Sequence, residues 1–279
     1  MKHTEDTFTG YGGLELYAQC WRPQGEAKAT LAIVHGFGEH SGRYGNVVNW
    51  FVPKGYIVCA FDMRGMGRSP GQRGHINNWT ELREDTRAFL QWARAQDAKR
   101  PLFLLGHSQG GLVVLDYALH YPEELAGVVV SGPTVGKLPV SPPMIVLARL
   151  LSSVWPRFTQ DVKLDATALS RDPAVPAAYV SDPLVHGLAT ARLGTEILKT
   201  IEWVQAHAGN MTVPCLIVHG GADRLIPPEG SRIFFEKMTL ADKTRYEYEG
   251  YYHEVYNDVG KERVLADVEA WLERHMHEA

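Results

Sequence analysis

The sequence predicts an α/β domain, with a mostly parallel central sheet flanked by helices and one long insertion. Three observations predict it. Short continuous apolar runs recur at 31–34, 56–61, 102–105, 128–130 and 215–218, the pattern of strands buried on both faces. Helix-length segments separate them, near 44–51, 80–95, 110–121 and 228–238, with a last one at 259–275. Strand and helix in alternation make a parallel sheet covered on both sides. From 133 to about 209 the alternation stops, no clear strand is visible, and prolines recur at 133, 139, 142, 143, 156, 173, 176 and 183.

Each element has its own local reason. The stretch 8–21, FTGYGGLELYAQCW, alternates in part and turns at Gly12-Gly13, which predicts an antiparallel hairpin ahead of the parallel strands. Within the insertion, MIVLARLLSSVW (144–155) confines Arg149, Ser152 and Ser153 to one narrow stripe of a helix. Such a helix either packs in an ordinary core, or walls a lipid pocket or touches a membrane.

Composition narrows the function. A chain of 279 residues with 45% hydrophobic residues can bury one large core, so a single domain carrying an insertion is expected. A net charge of −4 gives no electrostatic reason to bind nucleic acid or an anionic membrane by charge alone. Cys20, Cys59 and Cys215 are odd in number, far apart and in no metal-ligand spacing. They are expected to be three small apolar side chains rather than a disulfide or a zinc site. The first residues contain no apolar leader and no stretch approaches the length needed to span a bilayer, so a cytoplasmic protein is expected. The sequons at Asn78 and Asn210 are then treated as chance.

The chemistry starts at GHSQGG (106–111), between an apolar strand and a helix. Turning from strand to helix within one residue forces Ser108 into a strained conformation, and glycines at 106 and 110 remove side chains that would collide with it. The Gln109 N–H then lies at a helix N-terminus, where a developing negative oxygen is favoured. A serine hydroxyl needs a base and an orienting acid. Asp223 ends the strand in CLIVHGGADRLIPP and His253 lies beyond another strand in YEYEGYYHEVY, in the chain order Ser, Asp, His. Taken singly, Asp223 could merely cap the next helix and His253 is one of twelve histidines; the triad rests on their joint placement. The loop HGFGEHSGRY (35–44) should supply the second oxyanion donor, the N–H of Phe37, although a Gly-rich turn with no role has the same composition.

On the segments HGFGEHSGRY (35–44), DMRGMGRSPGQRGH (62–75), GHSQGG, SDPL (181–184), HGGADRLIPP (219–228) and YEGYYHE (248–254), nearly the whole chain resembles the monoacylglycerol lipase and lysophospholipase branch of the α/β-hydrolase fold. The resemblance implies an α/β-hydrolase domain with its core at 1–133 and 210–279, and an inserted helical cap at 134–209 over a lipid tunnel. It implies a serine carboxylic-ester hydrolase acting on a small-molecule lipid ester, with no cofactor and no metal. By the same resemblance, Glu39 and Arg43 lie near the polar end of the pocket, where a glycerol head group is expected, and Leu225 lines it near the acid. Monoacylglycerols are the expected substrate, with lysophospholipids or simple esters as alternatives, and the cap is the expected point of any peripheral membrane contact. Two departures stand out: mammalian relatives usually carry Met where this chain has Gln109, and His where it has Tyr256.

Other functions fit less well. His253-Glu254 continues to Asn257, so H-E-x-x-H fails at its last residue, and His275 and His277 read as a tail. Gly42 falls one residue late for G-x-G-x-x-G after Gly36 and Gly38, and there is no G-x-x-x-x-G-K-[ST]. Perhydrolase or carbon–carbon hydrolase chemistry would use the same triad. A non-catalytic lipid-binding module on the same fold is the alternative from another class.

Overall fold

The computed structural model describes residues 1–138 and 140–276; Pro139 and His277 lie outside the described residues. Its centre is an eight-stranded sheet in the order β1-β2-β4-β3-β5-β6-β9-β10. The hairpin β1 (Lys2–Thr9) and β2 (Glu15–Arg22) is antiparallel and joins β4 (Tyr56–Phe61) antiparallel. From β4 the sheet runs parallel through β3 (Ala29–Val34), β5 (Leu102–His107), β6 (Gly127–Ser131), β9 (Cys215–Gly220) and β10 (Lys243–Tyr248).

Every residue of β3, β4, β5, β6 and β9 is buried, as their unbroken apolar runs require. Alternation along each strand divides the core. In β3, Ala32 and Val34 face the layer of α2 (Thr80–Arg94) and α3 (Gln109–His120), where Phe89 and Leu112 lie. Leu31 and Ile33 face α1 (Gly45–Phe51) and α8 (Lys261–His275), where Phe51 and Trp271 lie. The helix α7 (Glu229–Lys237) follows β9. The chain leaves β3 toward β4 on one side and returns to β5 on the other. A crevice therefore opens at the C-terminal ends of β3 and β5, where such sheets hold ligands.

Between β6 and β9 lie α4 (Pro142–Val154), α5 (Ala174–Ser181) and α6 (Ala191–His207). The expected absence of strands there is corrected by β7 (Thr159–Asp161) and β8 (Leu188–Thr190), an antiparallel pair of three residues each, too short to leave a periodic pattern. The helix α4 packs on α6, which packs on α3 of the core. A strap from α5 to β8 ties this region to the core loops. His186 N–H donates to Gly38 O at 2.9 Å, Thr190 N–H to Gly74 O at 2.9 Å, and His40 Nε2 lies 2.8 Å from Asp182 Oδ2.

Two further expectations are corrected. Cys20 and Cys59 form a disulfide rather than standing as free thiols. They are register partners across the antiparallel β2–β4 pair, a proximity that a separation of 39 residues hides. Cys215 alone is free, and burial raises its thiol to about 12. His275 is no tail: it is buried in α8, stacked on Trp271 with ring centroids 4.0 Å apart and with Nε2 2.8 Å from Asp242 Oδ2.

Candidate active site

The turn from β5 into α3 places Ser108 at φ 53° and ψ −118°, the single non-glycine residue of positive φ among the described residues. Strain of this kind persists only where the surroundings over-determine it. Here the Ser108 N–H donates to Ser131 O at 2.9 Å, and its carbonyl accepts from Leu112 at 3.2 Å and Thr134 at 3.1 Å. The flanking glycines serve helix–sheet approach rather than clearance of the serine side chain. A Cβ at Gly106 would strike the Gly110 carbonyl and Val114, and one at Gly110 would strike the carbonyls of Val34 and His35 at the end of β3. The helix start is thereby pressed onto the β3 end. Gln109, whose N–H is one of the unpaired donors of a first helical turn, lines the same cavity as Phe37 and Ser108.

Asp223, in the turn after β9, is oriented by its own backbone: the N–H groups of Leu225 and Ile226 donate to Oδ1 at 2.9 and 3.0 Å. Its Oδ2 accepts from His253 Nδ1 at 2.6 Å, which leaves Nε2 as the free lone pair of a neutral imidazole. Burial would raise the Asp223 carboxyl. The facing His253, with hydrogen bonds from His219 and His253 and from the Ile226 N–H, outweighs burial and holds it well below the ordinary carboxylate range. His253 responds in the opposite sense. Burial favours its neutral form, but the Asp223 charge and hydrogen bond, aided by Glu254 and Glu39, lift its pKa above the ordinary imidazole value. Among the described residues no hydrogen bond of the Ser108 hydroxyl is present, whereas the His253–Asp223 bond is formed.

The remaining residues of the loop 35–44 are placed as a scaffold. Glu39 accepts from the Gly36 N–H at 2.6 Å, the Tyr44 hydroxyl at 2.9 Å and Arg43 Nη1 at 2.7 Å. Neither Glu39 nor Arg43 lines the cavity, and at the acid end the lining residue is Ile226 rather than Leu225. Sequence reasoning passed over His219, whose Nε2–H donates to Ile226 O at 2.8 Å and lies 3.3 Å from Asp223 Oδ2. It also passed over His107, whose ring lies 4.6 Å from that of His253. Burial, helped by the His253 charge, lowers His107 to about 3, so it stays neutral beside His253. Gly132 (φ 48°) completes the seat, because a Cβ there would come within 3.1 Å of His253 Nδ1.

With that geometry described, comparison with known proteins is informative. The model of the serine aminopeptidase S33 family matches residues 25–260. The chain belongs to this family of serine hydrolases. It is 38% identical to a monoacylglycerol lipase of Mycolicibacterium smegmatis over 98% of both chains. It is 32% identical to a monoglyceride lipase of Mus musculus, covering 93% of this chain and 87% of that one. Among solved structures, a monoacylglycerol lipase from Paleococcus ferrophilus superimposes with a TM-score of 0.83 at 34% identity, covering 99% and 100% of the two chains. A soluble variant of the Saccharomyces cerevisiae monoglyceride lipase, in complex with a substrate analog, superimposes with a TM-score of 0.85 at 26% identity, covering 96% and 94%. The expected α/β-hydrolase fold is borne out, and the protein is an enzyme of the carboxylic-ester hydrolase type.

Two outcomes are expected from this arrangement. With His253 taken as the base, the kcat/KM for a short-chain nitrophenyl ester is expected to rise with pH through a midpoint above about 6.5, because its pKa is raised and only the neutral imidazole can accept a proton. A midpoint at or below that value, read from a pH series, would contradict the assigned electrostatics. Asp223→Asn leaves the fold intact and lowers kcat by about 10⁴-fold, since the imidazole loses the partner that fixes its tautomer; steady-state assay of the purified variant checks this.

Proposed function

We propose that the protein is a monoacylglycerol lipase, with Ser108 as nucleophile, His253 as general base and acid, and Asp223 as the orienting carboxylate. The observation that carries this reading is the cavity above Ser108. Its volume is about 430 Å³, and its walls are mostly apolar, among them Leu138, Met144, Leu151, Phe158 and Ile197, with a few neutral polar residues such as Thr134 and Gln160 and no charged side chain among the lining residues. A peptide N-terminus brings an ammonium group and a lysophospholipid a phosphodiester. Neither has a counter-charge there, whereas a fatty acyl chain needs none. The name of the matching family notwithstanding, acyl-ester hydrolysis suits these walls better than aminopeptidase chemistry. Monoacylglycerol lipases among the relatives, one of them crystallised with a substrate analog, support the same choice.

In this reading the Ser108 oxygen attacks the ester carbonyl as its proton passes to His253 Nε2, and the carbonyl π electrons move onto oxygen. The N–H groups of Phe37 and Gln109 receive that oxyanion. The intermediate collapses with loss of glycerol, which takes the proton from His253. Water then repeats the sequence on the acyl-enzyme, with its proton moving to His253 and then to the serine oxygen, and a fatty acid leaves. Residues 134–209 act as a cap over the acyl chain, on a core formed by 1–133 and 210–279.

The same proposal extends to a membrane. Ile145, Ala148 and Leu151 of α4 line the cavity, while Val146, Leu150 and Val154 stand out on another face at 66, 59 and 71% exposure, joined by Trp155. No helix among the described residues is long and apolar enough to cross a bilayer. An interfacial contact of α4 would bring the cavity mouth to its substrate.

Turnover compared across monoacylglycerols, lysophospholipids, triacylglycerols and nitrophenyl esters should favour monoacylglycerols, and Ser108→Ala should lose both turnover and fluorophosphonate labelling. A preference for triacylglycerol or lysophospholipid overturns the substrate, and a labelled Ser108→Ala overturns the nucleophile. Replacing Val146 and Leu150 together by Glu should cut turnover of vesicle-borne monoacylglycerol several-fold while sparing a soluble short-chain ester. Equal rates on vesicles would remove the membrane contact.

A further inference from the structure

Arg43 joins three segments of the chain at the back of the candidate site. Its Nη1 donates to Glu39 Oε2 at 2.7 Å and to Glu254 Oε1 at 2.8 Å, and its Nη2 donates to Glu254 Oε2 at 3.1 Å. Glu39 holds the Gly36 N–H, one peptide before the Phe37 donor. Glu254 directly follows His253 in the chain, and its Oε2 also accepts from Asn257 Nδ2 at 2.8 Å. The ring of Tyr179, from α5 of the insertion, covers the guanidinium at 4.8 Å. Both carboxylates are buried, and among the described residues neither has a second lysine or arginine partner.

One buried cation thus serves two buried carboxylates, and a single removed partner leaves an uncompensated charge. The arrangement is more than cement. A fork-to-carboxylate pair fixes angles as well as distance, so the loop carrying His253 is registered against the loop carrying Gly36 and Phe37. We propose that Glu254 is a positioning residue of the reaction: with Arg43 it registers the base against the oxyanion donors, and its carboxylate adds negative charge near the base. This rests on the reading of Ser108, His253 and Asp223 as the triad.

The groups facing His253 support the sign. Asp223, backed by His219, comes from the β9 end, His107 from the β5 end with Tyr256 against its ring, Glu39 with its partners Arg43 and Tyr44 from the loop after β3, and Glu254 from the loop of His253 itself. Burial favours neutral imidazole; Asp223, then Glu254 and Glu39, favour the cation and prevail. Between the two glutamates the compensation is unequal. Burial raises both, Arg43 with His107 and His35 brings Glu39 below its usual range, and Glu254 stays raised with Glu39 as an opposing charge.

The test is the pH dependence of kcat/KM on a soluble ester, with KM and thermal midpoint measured in parallel, for full-length Glu254→Gln and Glu254→Asp. Removing the charge should move the acid midpoint down by about one pH unit, lower kcat and leave KM within about twofold. Aspartate keeps the charge but withdraws the carboxylate, so its midpoint should match the parent while kcat falls several-fold. An unmoved midpoint in Glu254→Gln, or an equal shift in both variants, overturns the proposal. If Glu254→Gln does not fold, Glu254→Asp decides: parental kcat overturns it, and reduced kcat at an unmoved midpoint supports it. Failure of the triad reading would be seen separately, as an absence of fluorophosphonate labelling at Ser108 in the parent chain.

Discussion

Everything around the candidate site depends on Ser108 being held at φ 53°, a conformation that serine does not adopt unaided. What holds it is contact between helix and sheet. At Gly110 only a hydrogen fits against the carbonyls that end β3, and at Gly106 only a hydrogen fits beneath the first turn of α3. The pairing of β3 with β5, in which Val34 stands opposite Gly106, therefore brings two loops to one point. The loop after β5 offers the hydroxyl and the loop after β3 offers the Phe37 N–H. Strand order, rather than any property of the serine itself, sets the distance between the proposed nucleophile and the proposed oxyanion donor.

Two buried ionic systems then meet at His253 from different directions. The Asp223 side orients the ring and favours its charge; the Glu39–Arg43–Glu254 side fixes the loop on which it sits. Each carboxylate among them would be costly if left alone, and each is matched by a guanidinium, an imidazole or backbone N–H groups. His107 shows the complementary rule. A second cation beside His253 would lower the basicity the proposed base needs, and burial keeps His107 neutral while its Nδ1 contacts Ser131. His35 is handled likewise, with Nε2 accepting the Met63 N–H at 2.9 Å and Nδ1 donating to Gly36 O at 2.7 Å. His253 thus favours its cation more than a free imidazole does, while His107 and His35 favour it less, because their neighbours differ.

The central strands were legible because burial on both faces leaves an unbroken apolar run, and β3, β4, β5, β6 and β9 lie where those runs predict. The edge strand β10, KTRYEY, is half-exposed and alternates, so it could be located only as the strand before His253. Features made by contacts distant in sequence left no pattern to read. Cys20 meets Cys59 through strand register, His275 meets Asp242 through the docking of α8, and Glu254 acquires its meaning from an arginine 211 residues earlier. At the site, Ser108 was legible from its glycines and Asp223 from the strand end that carries it. Gly132 and His219 were not, since neither a lone glycine nor a lone histidine announces the neighbour it will press against.

The insertion is held unequally, and this bears on how a long acyl chain can enter. The strap from α5 to β8 is bound to the loops after β3 and β4 by the backbone bonds of His186 and Thr190 and by the contact of His40 with Asp182. Gly38 and Gly74 have positive φ, and a Cβ at either would strike the carbonyl of His186 or Leu188, so this junction is close-packed backbone on backbone. By contrast α4 rests on α6 through side chains, with one apolar face on the cavity and another in solvent. Displacing α4 breaks few hydrogen bonds and exchanges one apolar surface for another, whereas displacing the strap would break backbone bonds and disturb the loop that carries Phe37. The low-cost motion is therefore the one that widens the cavity without moving the loop of Phe37, the proposed oxyanion donor, and stability is concentrated at that junction.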